Sequence, residues 1–498
     1  MTRSGQEYVE SLRDARQVFI DGERVEDVTA HPAFRESVRS IARLYDEAAE
    51  PANRELMTYP IDPGDPDSGR ANVAFMIPRS EEDLVRRRRG LRHWAELSYG
   101  LMGRSPDHVA GFLAGFAGNS GVFARAGREY ADNVVRFYEF ARDNDLYLTY
   151  VIVPPQIDRS KPAHQQAEPH LYASVKEERD DGIVVKGAQM LGTGAAVSDW
   201  IHLSRIVPLG PGDEDYAISV VVPTAADGVK VFSRRGYAQA ATSVYDYPLS
   251  TRFDETDSLV VFDEVFVPWE HVFVYRDLEL VQAQWWETCS HILGNSQAQI
   301  RFAVKLDFMT GLARRIAEMN GVEGLPPVRA SLAEIAAHAA MASGLVAASE
   351  HNAALDGDGV MRPGNEETYA NMVLAAQIYP KLLNMFRELC GGGLIQLPSS
   401  VEDFGNPEIA EQLERYVQSP GVPARERVKL MKLAWDLVGS EFASRHHQYE
   451  MFYAGAPFLV KQRMYQNYDF DRSARLVEDA LAGYDLDGPR DARVADAA

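Results

Sequence analysis

The chain has 498 residues, 46% of them hydrophobic, with a formal net charge of −22. That apolar content can bury a large core over roughly two to four domains, which excludes disorder except at the ends, the polar tail from Gly488 to Ala498 above all. The acidity excludes a nucleic-acid partner, which needs a basic face, and two cysteines without a CxxC, Cys289 and Cys390, exclude a disulfide framework and indicate a reducing cytoplasm.

From Thr2 to Arg16 the chain is polar and charged, so no signal peptide is expected. No run of about 18 apolar residues marks a membrane helix, and no membrane association is expected. Residues 1–145 read as mainly helical. Ser80-Glu81-Glu82-Asp83 opens a long helical stretch with acids in its first turn. Arg86 to Arg89 read as a solvated helix face or, less simply, an anion site. Ser105 suits an N-cap, Pro106 the first helical position and Asp107 the first turn. Arg104 then precedes a helix N-terminus, where free N–H groups and a guanidinium suit an anion or a peroxide. Pairing with a surface carboxylate is the plainer alternative. Tyr130 to Asn144 is a further helix.

Residues 146–276 change period. Short β-rich runs such as Ile183-Val184-Val185, Ile218 to Val222 and Leu259 to Phe262 are separated by Gly, Pro and Asp, without helix-length patterns between them. An antiparallel barrel or sandwich is expected. The run from Leu148 to Val153 ends in Pro154-Pro155 and a polar cluster, either a cofactor edge or a plain loop. Gly187 to Ala195 is rich in small residues, which permit close approach to a flat ring and equally a tight turn. Residues 277–498 return to helix. Asn295–Met319, Leu332–Leu355, Glu366–Leu389 and Arg425–Tyr453 suggest a four-helix bundle. Gly391-Gly392-Gly393 exceeds the need of a C-cap and suggests close approach to a phosphate or a neighbouring chain. His446, His447 and Glu450 share one helix, as a hydrogen-bonded face or, less simply, a metal site. No GxGxxG follows a strand, and GxxxxGK[ST] and HExxH are absent, so no nicotinamide domain is expected.

Met102-Gly103-Arg104-Ser105-Pro106-Asp107, Pro155-Gln156, Gly187 to Thr193, Val267-Pro268-Trp269-Glu270 and Tyr449 to Gly455 together carry a resemblance to a known family. The chain resembles the large component of the 4-hydroxyphenylacetate 3-monooxygenases, from about Gln6 to Tyr484. The resemblance implies the α+β fold of acyl-CoA dehydrogenases: an N-terminal helical domain (1–145), a middle antiparallel β-barrel (146–276) and a C-terminal four-helix bundle (277–498), usually built into a homotetramer. It implies that a separate flavin reductase supplies reduced FAD (FADH2). O2 then forms a flavin C4a-hydroperoxide, whose distal oxygen passes to the carbon ortho to a phenol hydroxyl. Carried over by motif, Arg104 contacts the hydroperoxide or the substrate. Tyr150, Ile152, Gln156, Asp158, Arg159 and Thr193 contact the flavin, and Phe452, Tyr453, Ala454 and Gly455 hold it from the bundle. Arg205 falls where relatives bind the substrate's polar tail, and His291 is the candidate acid/base. No metal is implied.

Relatives acting on simple phenols commonly have tyrosine at the position of His108 and histidine at that of Tyr150, both facing the phenol. The exchange keeps a hydrogen-bonding aromatic pair but reverses which side can act as a base. The expected substrate is therefore a tyrosine-like phenol of an antibiotic pathway, tethered to a carrier protein. The alternative is a free phenol such as 4-hydroxyphenylacetate or a chlorophenol. Rivals of other classes are an acyl-CoA dehydrogenase, with Glu287 or Glu441 as base, and a non-catalytic scaffold. A 4-hydroxybutyryl-CoA dehydratase would need about three or four cysteines for its cluster, and the chain has two.

Overall fold

A computed structural model of the protein describes residues 2–62, 64, 65, 67–485, 488 and 489. The part of the C-terminal tail beyond residue 489 lies outside the described residues, whereas Gly488 and Pro489 pair with Tyr484 and Asp485. The N-terminal helices are α1 (Gly5–Ser11), α2 (Arg35–Ala49), α3 (Glu81–Leu97), α4 (Asp107–Gly118) and α5 (Arg128–Asp143). The helix expected from Ser80-Glu81-Glu82-Asp83 forms, and Ser80 caps α3 by accepting from the Asp83 N–H. The arginine run is not a solvated face. Arg87 is buried and donates to the carbonyls of Ala74 (2.6 Å) and Met76 (3.2 Å), while Arg88 pairs with Glu350 at 2.8 Å. Consecutive helical residues point about 100° apart, so four in a row cannot share one face. Nor does Ser105 cap α4: its hydroxyl donates to the Asp107 carboxylate, a buried charge that needs donors.

Apart from three short two-stranded pairs, the strands are β1 (Gln17–Ile20), β2 (Glu23–Val25), β3 (Leu148–Val151), β4 (Ser174–Arg179), β5 (Gly182–Gln189), β6 (Trp200–Leu203), β7 (Ile218–Pro223), β8 (Val229–Ser233), β9 (Ser258–Pro268) and β10 (Val272–Tyr275). They form two sheets, ordered β2-β1-β8-β9-β5-β4 and β10-β7-β6-β3. The expected barrel is therefore not a closed one among the described residues, and two pairs, β1–β8 and β3–β6, are parallel. A register shift between Phe262 and Val265 bends the long β9, and the layers stack face to face. The hairpin β1–β2, from the region read as helical, completes the larger sheet. Alternation along β3 sends Val151 to the inter-sheet core and Leu148, Tyr150 and Ile152 to the opposite face, against α4 and α5.

The C-terminal helices are α6 (Leu280–Trp286), α7 (Ser290–Met319), α8 (Pro326–His351), α9 (Asn365–Cys390), α10 (Pro407–Tyr416), α11 (Ala424–Val438), α12 (Glu441–Phe452), α13 (Pro457–Asn467) and α14 (Phe470–Ala482). The expected helix Arg425–Tyr453 is broken at Gly439-Ser440, where Ser440 caps α12 through the Ala443 N–H. Gly391, at φ +57°, ends α9 in the left-handed region. By length and composition alone, α8 is apolar enough to cross a membrane. Alanine raises its mean hydropathy without large side chains, and Ile335, Ala339, Ala342 and Val346 bury against neighbouring helices. The 30-residue α7 is buried over most of its length and touches α3, α4, α8 and α9.

Candidate active site

The N-terminus of α4 meets the outer face of β3 and the end of α12. Arg104, just ahead of α4, donates from Nη1 to Tyr449 Oη (2.6 Å) and from Nη2 to the Tyr453 carbonyl (3.2 Å). Its guanidinium lies over the rings of Tyr150 (5.5 Å) and Tyr449 (5.1 Å). His108, in the first turn of α4, sets its Nε2 3.4 Å from Tyr150 Oη. Phe112 packs edge-on against Tyr150 and Trp285, closing the wall with ring centroids 5.4 and 5.8 Å away. Three residues spread over 47 positions of sequence, Arg104, His108 and Tyr150, thus share one cluster. Burial, and then the nearby Arg104, hold the His108 pKa well below the ordinary histidine value, so the ring is neutral.

The backbone of Arg104 is held by a residue that sequence reasoning missed. Glu255 accepts from the N–H groups of Gly103 (2.8 Å) and Arg104 (2.6 Å). Arg445 on α12 bridges Glu255 (3.4 Å) and Asp257 (2.8 Å), and Asp257 accepts from Thr193 Oγ1 (2.7 Å). One acidic turn between the sheets and α12 therefore ties together the Arg104 loop, the Thr193 loop and the bundle. Three acids in Asp254-Glu255-Thr256-Asp257 were the available signal. Gly103 is required by Tyr449: a Cβ there would overlap the tyrosine hydroxyl. Gly103→Ala is expected to displace that hydroxyl from Arg104 and to cost about 1–3 kcal/mol, measured as a lower denaturation midpoint.

The other predicted residues divide. Ile152 is buried beside Tyr150, and Met190 pairs with Val153, so β3 runs alongside the stretch leading to Thr193. Gln156 and Arg159 are exposed in the loop after β3, where Asp158 accepts from Ser160 (2.6 Å). Tyr453 receives a hydrogen bond from Gln299 and stacks on Tyr449. Phe452 is exposed, Ala454 half-buried, and Gly455 adopts φ +103°. His291 joins a different group: its Nδ1 lies 3.2 Å from Tyr369 Oη and its ring packs on Trp286 at 4.7 Å. Burial, then Arg463 and Arg362, push its pKa down to about 3, so it is a neutral hydrogen-bonding ring at neutral pH. Arg205 is 2% exposed, lies over Tyr172 (5.2 Å) and Tyr216 (5.7 Å), and has no partner at Nε or Nη2 among the described residues. Burial lowers its pKa to about 10. A buried guanidinium with free N–H groups calls for an anion or a carbonyl oxygen.

Behind Tyr449 lies an ion network. Glu450 pairs with Arg301 (2.7 Å) and Lys305 (2.9 Å), all fully buried, and Lys305 Nζ lies 3.2 Å from His446 Nδ1. Burial would raise the Glu450 carboxyl, but Arg301 and Lys305 outweigh it and hold it at about 2. The polar face read on α12 thus anchors α12 to α7.

Comparison with known proteins matches this architecture. The family profile described as 4-hydroxyphenylacetate 3-hydroxylase N terminal covers residues 4–274, and its C-terminal counterpart covers residues 281–482. A 4-hydroxyphenylacetate 3-monooxygenase oxygenase component from Pseudomonas aeruginosa is 37% identical over 495 residues, covering 97% of this chain and 94% of the relative. A (3S)-3-amino-3-(3-chloro-4-hydroxyphenyl)propanoyl-(peptidyl-carrier protein) monooxygenase from Streptomyces globisporus is 39% identical over 505 residues, covering 97% and 92%. A crystal structure of the oxygenase component of 4-hydroxyphenylacetate 3-monooxygenase, complexed with FAD and 4-hydroxyphenylacetate, superposes with a TM-score of 0.91 at 32% identity, over 96% of this chain and 98% of that one. On these matches, which span both halves of the chain, the protein belongs to the 4-hydroxyphenylacetate 3-hydroxylase family.

Proposed function

We propose that this chain is the oxygenase component of a two-component phenol hydroxylase that places one oxygen atom ortho to the hydroxyl of a tyrosine-like phenol tethered to a carrier protein. The observation that carries this reading is the meeting of Arg104, His108 and Tyr150 in one aromatic-walled cluster. The carrier-bound substrate is favoured by the exchanged His108 and Tyr150 and by the Streptomyces globisporus relative, whose name specifies a carrier-bound hydroxyphenyl substrate.

The residues fit a flat redox cofactor. Small side chains line Gly192 to Ala195, and the buried Gln299 Oε1 and Trp286 Nε1 lack partners among the described residues, beside Tyr453 and His291. Tyr150, Ile152, Gln156, Asp158, Arg159, Thr193 and Phe452 to Gly455 would hold FAD, delivered reduced by a separate reductase. Reduced FAD, when bound, supplies the electrons that activate O2 for insertion of one oxygen atom into the phenol. Arg104 places positive charge where anionic oxygen develops. His108 and Tyr150 hydrogen-bond the phenol hydroxyl, and Phe112 and Trp285 help keep water out. Neutral His291 hydrogen-bonds from the α7 side. Arg205 takes the polar tail, as a carboxylate or an acyl carbonyl. A homotetramer suits the exposed apolar side chains of α13 and α14, among them Phe458, Leu476 and Val477. A reducing cytoplasm suits the buried free Cys289 and Cys390.

The test is turnover with reduced FAD and O2 on a panel of carrier-tethered tyrosine-like phenols, the same phenols free, 4-hydroxyphenylacetate and a chlorophenol. Carrier-tethered phenols are expected to react best. Equal turnover of free 4-hydroxyphenylacetate rules out the carrier preference. Arg205→Met is expected to raise KM about 10–100-fold for substrates with a polar tail, the worth of a charged hydrogen bond, and to leave an untailed chlorophenol unchanged.

A further inference from the structure

Behind His108 runs a line of buried side chains whose hydrogen bonds allow only one direction. Asp107, His108, Gln297 and Ser105 are each at most 6% exposed. Ser105 donates its hydroxyl proton to Asp107 Oδ1, which leaves the serine oxygen as an acceptor. Gln297, on α7, sets its side-chain nitrogen 3.1 Å from Asp107 Oδ1 and 3.3 Å from Ser105 Oγ. Both partners accept, so the amide nitrogen must face them and cannot be exchanged with the oxygen. Ser105 and Gln297 both aim donors at Asp107 Oδ1, so this oxygen accepts from both, while burial raises the carboxyl to about 6 against Ser105, Gln297 and Arg87.

The consequence passes to the histidine. Gln297 Oε1 lies 3.2 Å from His108 Nδ1 and can only accept, so Nδ1 carries the proton. A neutral imidazole with its proton on Nδ1 has a lone pair on Nε2. That nitrogen faces the Tyr150 hydroxyl at 3.4 Å and accepts from it. The Tyr150 oxygen, its own proton directed to His108, then offers its lone pairs outward.

We propose that Asp107 and Gln297 are positioning residues that set the tautomer of His108, so that the His108–Tyr150 pair meets a phenol hydroxyl as a hydrogen-bond acceptor. This rests on the reading that a phenol binds at that pair. It explains how the exchange of histidine and tyrosine keeps an accepting end: the polarity comes from α7 and the start of α4, not from the pair itself. No proton needs to leave the chain, because each donor in the line already has its acceptor.

The test reads the tautomer directly, in the cofactor-free protein. Nitrogen-15 spectra of histidine-labelled wild type, with the His108 resonance assigned by its loss in His108→Gln, are expected to show a protonated Nδ1 and an unprotonated Nε2. Gln297→Met, nearly equal in size but unable to accept, is expected to move the proton to Nε2 or to mix the two forms. Asp107→Asn, which can donate or accept, should also mix them. In turnover, Gln297→Met should raise the phenol KM about tenfold while leaving the affinity for reduced FAD within about twofold. A wild-type His108 protonated at Nε2, or a tautomer unmoved in Gln297→Met, overturns the proposal even if the protein hydroxylates phenols. Should wild type turn over no phenol, the functional reading fails while the tautomer assignment is still decided by the spectra.

Discussion

Arg104→Ala is expected to lower hydroxylated product by about 10²–10³-fold, the usual cost of removing one preorganised charge-stabilising donor. The side chain makes two separate attachments to α12, at Tyr449 Oη and the Tyr453 carbonyl, while its guanidinium face covers Tyr150. Its removal takes away the cation that lies over Tyr150 and loosens the join between α4 and α12. Arg104→Lys keeps the charge but not the planar fork, so it should recover only part of the activity. The measurement is product formed per reduced FAD oxidised. Loss of product with continued oxidation, appearing as hydrogen peroxide, is the expected pattern, because water enters a site that no longer holds its substrate. An unchanged ratio in Arg104→Ala removes Arg104 from the chemistry.

Glu450→Gln is expected to cost on the order of 3–5 kcal/mol of stability, because it leaves Arg301 and Lys305 buried without their anion. The effect should depend on pH in a stated direction. Glu450 is held at about 2, below its ordinary 4.5, so the folded protein favours its charged form. That stabilisation is fully present above about pH 4.5 and fades as pH falls towards 2. Urea midpoints of wild type and Glu450→Gln should therefore differ most near neutrality and approach one another below pH 4.5. A gap that persists unchanged to pH 3 contradicts the ionised assignment. Because Glu450 adjoins Tyr449 on α12, and Tyr449 receives the hydrogen bond from Arg104, the variant should also lose part of its product yield.

Much of the site was legible in local patterns. The β-rich run into Pro154-Pro155 became a strand and its exit loop, and the small residues after Gly187 lie beside it. The motif around Arg104 does precede a helix. The failures share a cause. Ser105 looked like a cap because local rules count its hydroxyl as free, yet the buried Asp107 claims it. The arginines of α3 looked solvated because charge predicts exposure, yet Arg87 satisfies carbonyls brought close by another segment. Of barrel or sandwich, the strands form two stacked sheets, and strand periodicity could not say which edges pair or that two of the pairings are parallel.

By itself, then, the sequence determined what repeats over short spans: the helix–sheet–helix order, the β3 alternation that turns Tyr150 towards α4, and the absence of a nicotinamide fingerprint. Motif resemblance added Arg104 and its neighbours. Only the tertiary structure decided that Glu255 holds the Arg104 backbone from 151 residues away, that Gln297 orients His108, and that Arg205 is buried with Nε and Nη2 unpaired among the described residues. A hydrogen-bond partner is chosen by proximity in space and by the cost of leaving a buried polar group unpaired. Neither quantity is written in spacing along the chain.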